Sequence, residues 1–215
     1  MQLPPQSDPY ADQRRAMVQT QLRDRGITDD RVLAAMLRVP RHEFIAVPFR
    51  DEAYEDHPLP IGSGQTISQP YIVASMLQAL HLAASDKVLE VGAGSGYVTA
   101  LLAELAAEVV SIERHQVLAA QAQQALVTLG YDRVRIVVGD GTQGFAPAAP
   151  YDAIIVSAAA PQLPVLLVSQ LREGGRMIVP VGPDDAQQLQ LIRIENGQPQ
   201  ISLREPCRFV PLVSG

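Results

Sequence analysis

The 215-residue sequence contains one cysteine, Cys207. That excludes an intrachain disulfide and a cysteine metal cluster, and it fits a reducing compartment. A single thiol near the C-terminus reads as structural. Nowhere does the chain approach the roughly 18 consecutive apolar residues of a membrane helix. Residues 1–16 (MQLPPQSDPYADQRRA) have no apolar signal core. The expected protein is therefore soluble, unexported and cytoplasmic. Positive charge is in deficit, with 17 Lys and Arg against 23 Asp and Glu and a net charge of -6. Without a global attraction to phosphate backbones or anionic lipid, neither nucleic acid nor membrane is expected as a partner. The four histidines, His42, His57, His81 and His115, lack metal-ligand spacing. No metal is expected, and each reads as a surface or packing residue.

What is present is ordinary globular composition, 47% hydrophobic and 19% charged, enough for one substantial core. Residues 1–11 are polar and Pro-rich, predicting a mobile tail. Residues 12–215 are expected to form one domain, divided into an N-terminal extension (12–70) and a core (71–215). From 12 to 37, apolar residues recur at helical spacing, broken by Gly26, with Thr28 and Asp29 as capping residues. Two short helices follow from that pattern. Prolines and glycines crowd residues 40–70, which predicts an irregular segment wrapped over the core.

Beyond Tyr71 the pattern turns regular. Helices are predicted at 71–82 and 97–106, ending at Gly130, and near 163–172. Strands are predicted at 87–91, 109–113, 134–138, 151–157 and 176–181. Apolar strands alternating with helices imply right-handed βαβ units and a doubly wound, mostly parallel sheet. The period-two stretch at 188–193, the Asn196-Gly197 turn and residues 199–203 predict an antiparallel hairpin at the sheet edge.

The sharpest chemical signal is Glu90-Val91-Gly92-Ala93-Gly94-Ser95-Gly96-Tyr97, lying between a predicted strand and helix. Its glycines let the backbone turn tightly and approach a ligand closely. A dinucleotide fingerprint would need glycine where Tyr97 stands. The G-x-G-x-G spacing after an acidic residue instead resembles the S-adenosylmethionine loop of class I methyltransferases. Two further strand ends are acidic. Glu113 closes the second strand, where a carboxylate can accept bonds from ribose hydroxyls. Asp140, between Gly139 and Gly141, closes the third, where it can accept a bond from an adenine amino group. Taken singly, Glu113 reads equally well as a helix cap, Glu90 as a buried partner of backbone amides, and Gly139 and Gly141 as turn glycines. Their order and spacing together favour a cofactor site.

After the strand at 151–157 the chain reads Ser157-Ala158-Ala159-Ala160-Pro161, with no Asn/Asp-Pro-Pro-Tyr motif of base-amine methylation. Upstream, Val39-Pro40-Arg41-His42-Glu43-Phe44, Ala53-Tyr54-Glu55-Asp56 and Gly64-Gln65-Thr66-Ile67-Ser68-Gln69-Pro70 resemble the bacterial protein-L-isoaspartate O-methyltransferases. The likeness runs through Ser111-Ile112-Glu113-Arg114, Gly139-Asp140-Gly141 and Arg208-Phe209-Val210-Pro211-Leu212, covering nearly all of 14–212.

The resemblance implies a Rossmann-like methyltransferase domain that uses S-adenosyl-L-methionine, with S-adenosyl-L-homocysteine as product, to methylate isoaspartyl carboxylates of damaged proteins and peptides. It implies Ser68 as the active-site serine, and Thr66, Ile67, Gln69 and Pro70 as substrate-side residues. Glu90, Gly92, Ala93, Gly94, Ser95, Gly96, Glu113, Arg114, Gly139, Asp140 and Gly141 are implied at the cofactor. From the residues alone, Ser68 reads as the N-cap of the helix beginning at Tyr71. Arg41 and Arg208 are candidates to meet the substrate carboxylate. A methyltransferase of small metabolites and a cofactor-binding adaptor without turnover are the competing readings.

Overall fold

A computed structural model describes residues 8–214. Most of the expected mobile tail, 1–7, lies outside the described residues. Asp8 to Ala11 are tied down, contrary to expectation: Arg14 pairs with Asp8 at 2.5 Å, and the Tyr10 ring lies 4.4 Å from that of His42. Local polarity cannot reveal such contacts with distant residues.

Helix α1 (Ala11–Ala16) continues through a π-helical turn at Met17–Leu22 and a 3-10 turn at Arg23–Arg25, until Gly26 stops it with φ of 95°. Asp29 caps α2 (Asp30–Arg38), accepting the N–H groups of Arg31 and Val32. Thr28 does not cap; its own N–H donates to the Gln78 side chain at 2.7 Å. The segment expected to be irregular contains two 3-10 turns and a small hairpin, β1 (Leu59–Gly62) with β2 (Gln65–Ile67). Gly62-Ser63-Gly64, all at positive φ, makes its turn. Strands of four and three residues are too short to show a period.

The core follows the predicted order. Helix α3 (Pro70–Leu80) precedes β3 (Lys87–Val91), α4 (Tyr97–Leu105), β4 (Glu108–Glu113), α5 (Gln116–Thr128), β5 (Arg135–Val138) and β6 (Tyr151–Val156). Gly130 lies just past α5 at φ of 82° and its N–H bonds Val127 O, the expected left-handed termination. The helix expected near 163–172 is only α6 (Val165–Val168). Leu171 has already joined β7 (Leu171–Val181) and pairs with Tyr151. Sheet pairing claimed residues whose apolar run suited a helix equally well. The expected hairpin is present and longer, β8 (Gln187–Glu195) with β9 (Gln198–Cys207).

The seven strands run β5-β4-β3-β6-β7-β8-β9, parallel from β5 to β7 and antiparallel beyond. Alternate residues of β3, β4, β6 and β7 feed two cores. Val88, Val109, Ala153 and Ile178 face α1 to α4, whereas Leu89, Val110, Ile154 and Met177 pack on the opposite side. Among the described residues no helix is long and apolar enough to cross a membrane.

A buried ion pair clamps the end of α3 to the sheet. Arg176 Nη2 donates to Asp86 Oδ2 at 2.5 Å, while its Nε and Nη2 also reach the carbonyls of Leu80 and His81. Asp86 additionally accepts the Ala83 N–H. Asp86→Ala leaves a buried guanidinium without its counter-charge, and urea titration should show a loss of about 3 kcal/mol or more in unfolding free energy.

Candidate active site

The strand order reverses at β3, whose neighbours are β4 on one side and β6 on the other. Such a reversal opens a crevice at the carboxyl ends of the strands. The loop Gly92–Gly96 leaves β3 into that crevice. Gly92 and Ala93 spend their N–H groups on Ile112 O, at 2.8 and 3.0 Å, and Gly94 donates to Glu113 Oε2 at 2.9 Å. Gly94 sits at φ of 54°, and a Cβ there would come within 3.2 Å of Ile61 Cδ1 on the β1–β2 hairpin. At Gly141 a Cβ would fall 2.6 Å from Val91 Cγ1. Both positions therefore need glycine for close approach.

Two cavities meet here. The first, about 90 Å³, is bounded by Gly92, Gly94 and Ser95, by Ile112 to His115, by Gly141 and by the extension at Gln65 to Ser68. Val210 to Val213 close over it. That strap is held by Ala159 N–H to Val210 O at 2.8 Å and Leu212 N–H to Ala159 O at 2.7 Å. The second cavity, about 610 Å³, lies across the strap and includes Gln69, Asp184 and Arg208. Thr66, Ser68, Ser157, Val210 and Pro211 line both.

Ser68 is partly buried at this junction, and its hydroxyl has no hydrogen-bond partner among the described residues. It is not a helix cap. Asp56 takes that role from 15 residues upstream, accepting the Tyr71 N–H at 3.1 Å and the Gln69 side-chain amide at 2.7 Å. Arg25 pairs with the same carboxylate and stacks on the Tyr71 ring, 3.8 Å from its centroid.

Of the expected cofactor-site residues, Gly92, Gly94, Ser95, Glu113, Arg114 and Gly141 reach the first cavity. Glu113 is 5% exposed, its two oxygens accepting the Gly94 and His115 N–H groups. Ala93, Gly96, Gly139 and Asp140 are adjacent in the chain but outside the cavity wall. One Asp140 oxygen accepts the Thr142 N–H and hydroxyl.

Glu90 does not line the cavity either. Strand alternation directs it toward α4; Thr99 of that helix and Ser111 of β4 both donate to Oε2 at 2.6 Å, and Oε1 has no partner among the described residues. Of the substrate-side residues, Thr66, Ser68 and Gln69 reach the second cavity, Ile67 reaches the first, and Pro70 is buried at the start of α3. Arg208 belongs to the second cavity's wall, but Arg41 is fully buried away from it.

Sequence reading missed His115, Ser157, Ala158 and the strap as cavity walls. Only the apolar Val210-Pro211-Leu212 after the hairpin hinted at a segment returning to the protein. Cys207 lies half-buried in the second cavity, and burial pushes its thiol up to about 11. One group of possible metal ligands occurs among the described residues, the surface trio Glu52, Glu55 and His57.

The parallel sheet, the glycine loop at its reversal point and the acidic end of the neighbouring strand define a class I methyltransferase architecture. The sequence model described as protein-L-isoaspartate(D-aspartate) O-methyltransferase (PCMT) matches residues 12–215, and the chain belongs to that family. Relatives named protein-L-isoaspartate O-methyltransferase include that of Koribacter versatilis, 53% identical over 95% of this chain and 92% of its own. Another, from Methanoculleus marisnigri, is 53% identical over 97% and 94%. A Plasmodium falciparum protein assigned to the same family, solved in complex with S-adenosyl-L-homocysteine, superposes with a TM-score of 0.81 at 27% identity, covering 94% of this chain and 99% of that one.

Burial raises the Glu90 carboxyl from 4.5 to about 7, against the opposing pull of the Ser111 and Thr99 hydroxyls. Between those values the folded protein holds a proton that the unfolded chain releases, so this group's contribution is full below pH 4.5 and is lost as pH rises through about 7. Glu90→Gln should therefore gain stability at pH 8 relative to wild type, by up to about 3 kcal/mol, and show no such gain at pH 4. Thermal melts of the two proteins at both pH values measure this.

Proposed function

We propose that the chain transfers the methyl group of S-adenosyl-L-methionine to the free carboxylate of L-isoaspartyl residues, and that Ser68 orients that carboxylate. The observation that carries this reading is the unpartnered Ser68 hydroxyl on the wall common to a narrow cavity beside the glycine loop and a broader one of about 610 Å³.

The residues present fit the cofactor. Gly92, Gly94 and Gly141 put bare backbone in the wall of the first cavity, and each Glu113 oxygen retains a lone pair for a ribose hydroxyl after accepting one backbone N–H. Ile112, Leu212 and Val213 offer apolar surface to a flat base. When bound, S-adenosylmethionine supplies an electrophilic methyl on a sulfonium sulfur. The protein's residues supply alignment and exclusion of water.

A carboxylate is ionised at neutral pH and already nucleophilic, so no general base is required. Ser68 donates a hydrogen bond to one substrate oxygen and leaves the other free to attack. The strap between the cavities excludes water and keeps the approach narrow. Such positioning and partial desolvation are effective without covalent participation by the protein. The product is a neutral methyl ester. Its closure to a succinimide by the neighbouring backbone nitrogen, with loss of methanol, starts repair of the damaged residue.

The direct test supplies labelled S-adenosylmethionine to paired peptides differing only in isoaspartate or aspartate. Label entering the isoaspartyl peptide alone, and released by base as methanol, is the expected result; equal or absent labelling overturns the proposal. Ser68→Ala should lower kcat on the order of 10- to 100-fold, the value of one hydrogen bond to a charged group, with little change in S-adenosylhomocysteine affinity. Glu113→Ala should do the converse to binding, weakening calorimetric affinity by about tenfold or more.

A further inference from the structure

Arg41 is 0% exposed, yet no carboxylate is bonded to it. Its Nε donates to Ala53 O at 2.8 Å, and its guanidinium lies over the Tyr97 ring, 4.9 Å from the centroid. Neither terminal nitrogen meets an acceptor in good hydrogen-bond geometry among the described residues; the Tyr97 hydroxyl and the Asp56 carboxylate are near enough to favour its charge. A buried cation with unmet donors disfavours folding, and an apolar residue of similar length would fill the same space without that cost. Packing alone therefore does not account for an arginine here.

Its contacts have a common feature: they join the two parts of the site. Tyr97 opens α4 directly after the glycine loop. Phe44, three residues beyond Arg41, meets the same ring edge-on at 5.7 Å. On the other side, Ala53 ends the 3-10 turn that leads to Asp56. The Asp56 carboxylate holds Gln69 and the Tyr71 N–H, which follow Ser68 in the chain.

We infer that Arg41 is a positioning residue for methyl transfer, setting the separation between the helix that follows the glycine loop and the segment that carries Ser68 while touching neither reactant. This rests on the methyltransferase reading proposed above. The carboxylate must approach the methyl in line, and misplacement of about 1 Å can cost on the order of 100-fold in rate. An arginine suits the task because its flat face registers on the Tyr97 ring while its directional Nε–H fixes a backbone carbonyl. Methionine fills the volume but supplies no directional bond.

The test compares wild type, Arg41→Met and Arg41→Lys by labelled methyl transfer to an isoaspartyl peptide, S-adenosylhomocysteine calorimetry and thermal melting. For Arg41→Met the expected result is a fall in kcat of about tenfold or more, with cofactor affinity and peptide KM within about threefold of wild type and a melting temperature not lowered. Arg41→Lys, which keeps a cation and a donor, should recover part of that kcat. Wild-type kcat in Arg41→Met overturns the inference, as does a loss of activity that merely follows the fraction unfolded. Should Arg41→Met fail to fold, Arg41→Lys decides: a kcat loss with unchanged affinity and KM supports positioning, and wild-type kcat refutes it. Inactive wild-type protein would instead sink the methyltransferase reading on which the inference stands.

Discussion

The Glu113 carboxylate accepts two backbone N–H groups, Gly94 at 2.9 Å and His115 at 2.8 Å, and the geometry of the first cavity depends on that pair of bonds. They tie the glycine loop after β3 and the entry to α5 to the end of β4. A loop with three glycines at positive φ has many alternative conformations in isolation. Charge-assisted bonds to a carboxylate held by a parallel strand select one of them. The same carboxylate then stands in the cavity wall, so the group that orders the loop is also available to a ligand.

The N-terminal extension does for the second cavity what Glu113 does for the first. Its prolines and glycines prevent long elements, and order comes instead from single polar groups that bridge distant segments. Asp56 starts α3, holds Gln69 and pairs with Arg25; Arg41 reaches from the extension to Tyr97; Ile61 covers Gly94. Ser68 lies among these fastenings with its own hydroxyl unspent. At the far end of the chain, the strap from Val210 to Val213 adds the partition between the cavities. Gln187 exchanges two bonds with the Phe209 backbone, at 2.6 and 3.0 Å, and so anchors the strap to the sheet.

The regular part of the fold was legible because it obeys short-range periodicity. Strands such as Lys87–Val91 and Tyr151–Val156 are apolar on both faces, helices carry apolar stripes, and glycines mark the turns. Where periodicity was ambiguous, pairing decided. Leu171 entered a strand beside Tyr151, and residues 59–67 made a hairpin too short to carry a pattern. At the site, the glycine loop and Glu113 could be placed from their strand-end positions. Glu90 could not, because its direction follows from the alternation of β3 and from Thr99 and Ser111, which lie 9 and 21 residues away. From the residues alone Ser68 also reads as a helix cap, a role that Asp56 fills because a carboxylate distant in sequence reaches the Tyr71 N–H.

The sequence by itself determined the order of strands and helices, the glycine loop and the acidic strand ends, because these depend on local dihedral preferences and on which residues must avoid water. Tertiary structure alone decided that Ser68 stands between two cavities, that Glu90 lies in the core and that the C-terminal strap returns to divide the site. Each of those outcomes is set by a contact between residues far apart in the chain, and such contacts exist only once the sheet has brought its edges and strand ends together.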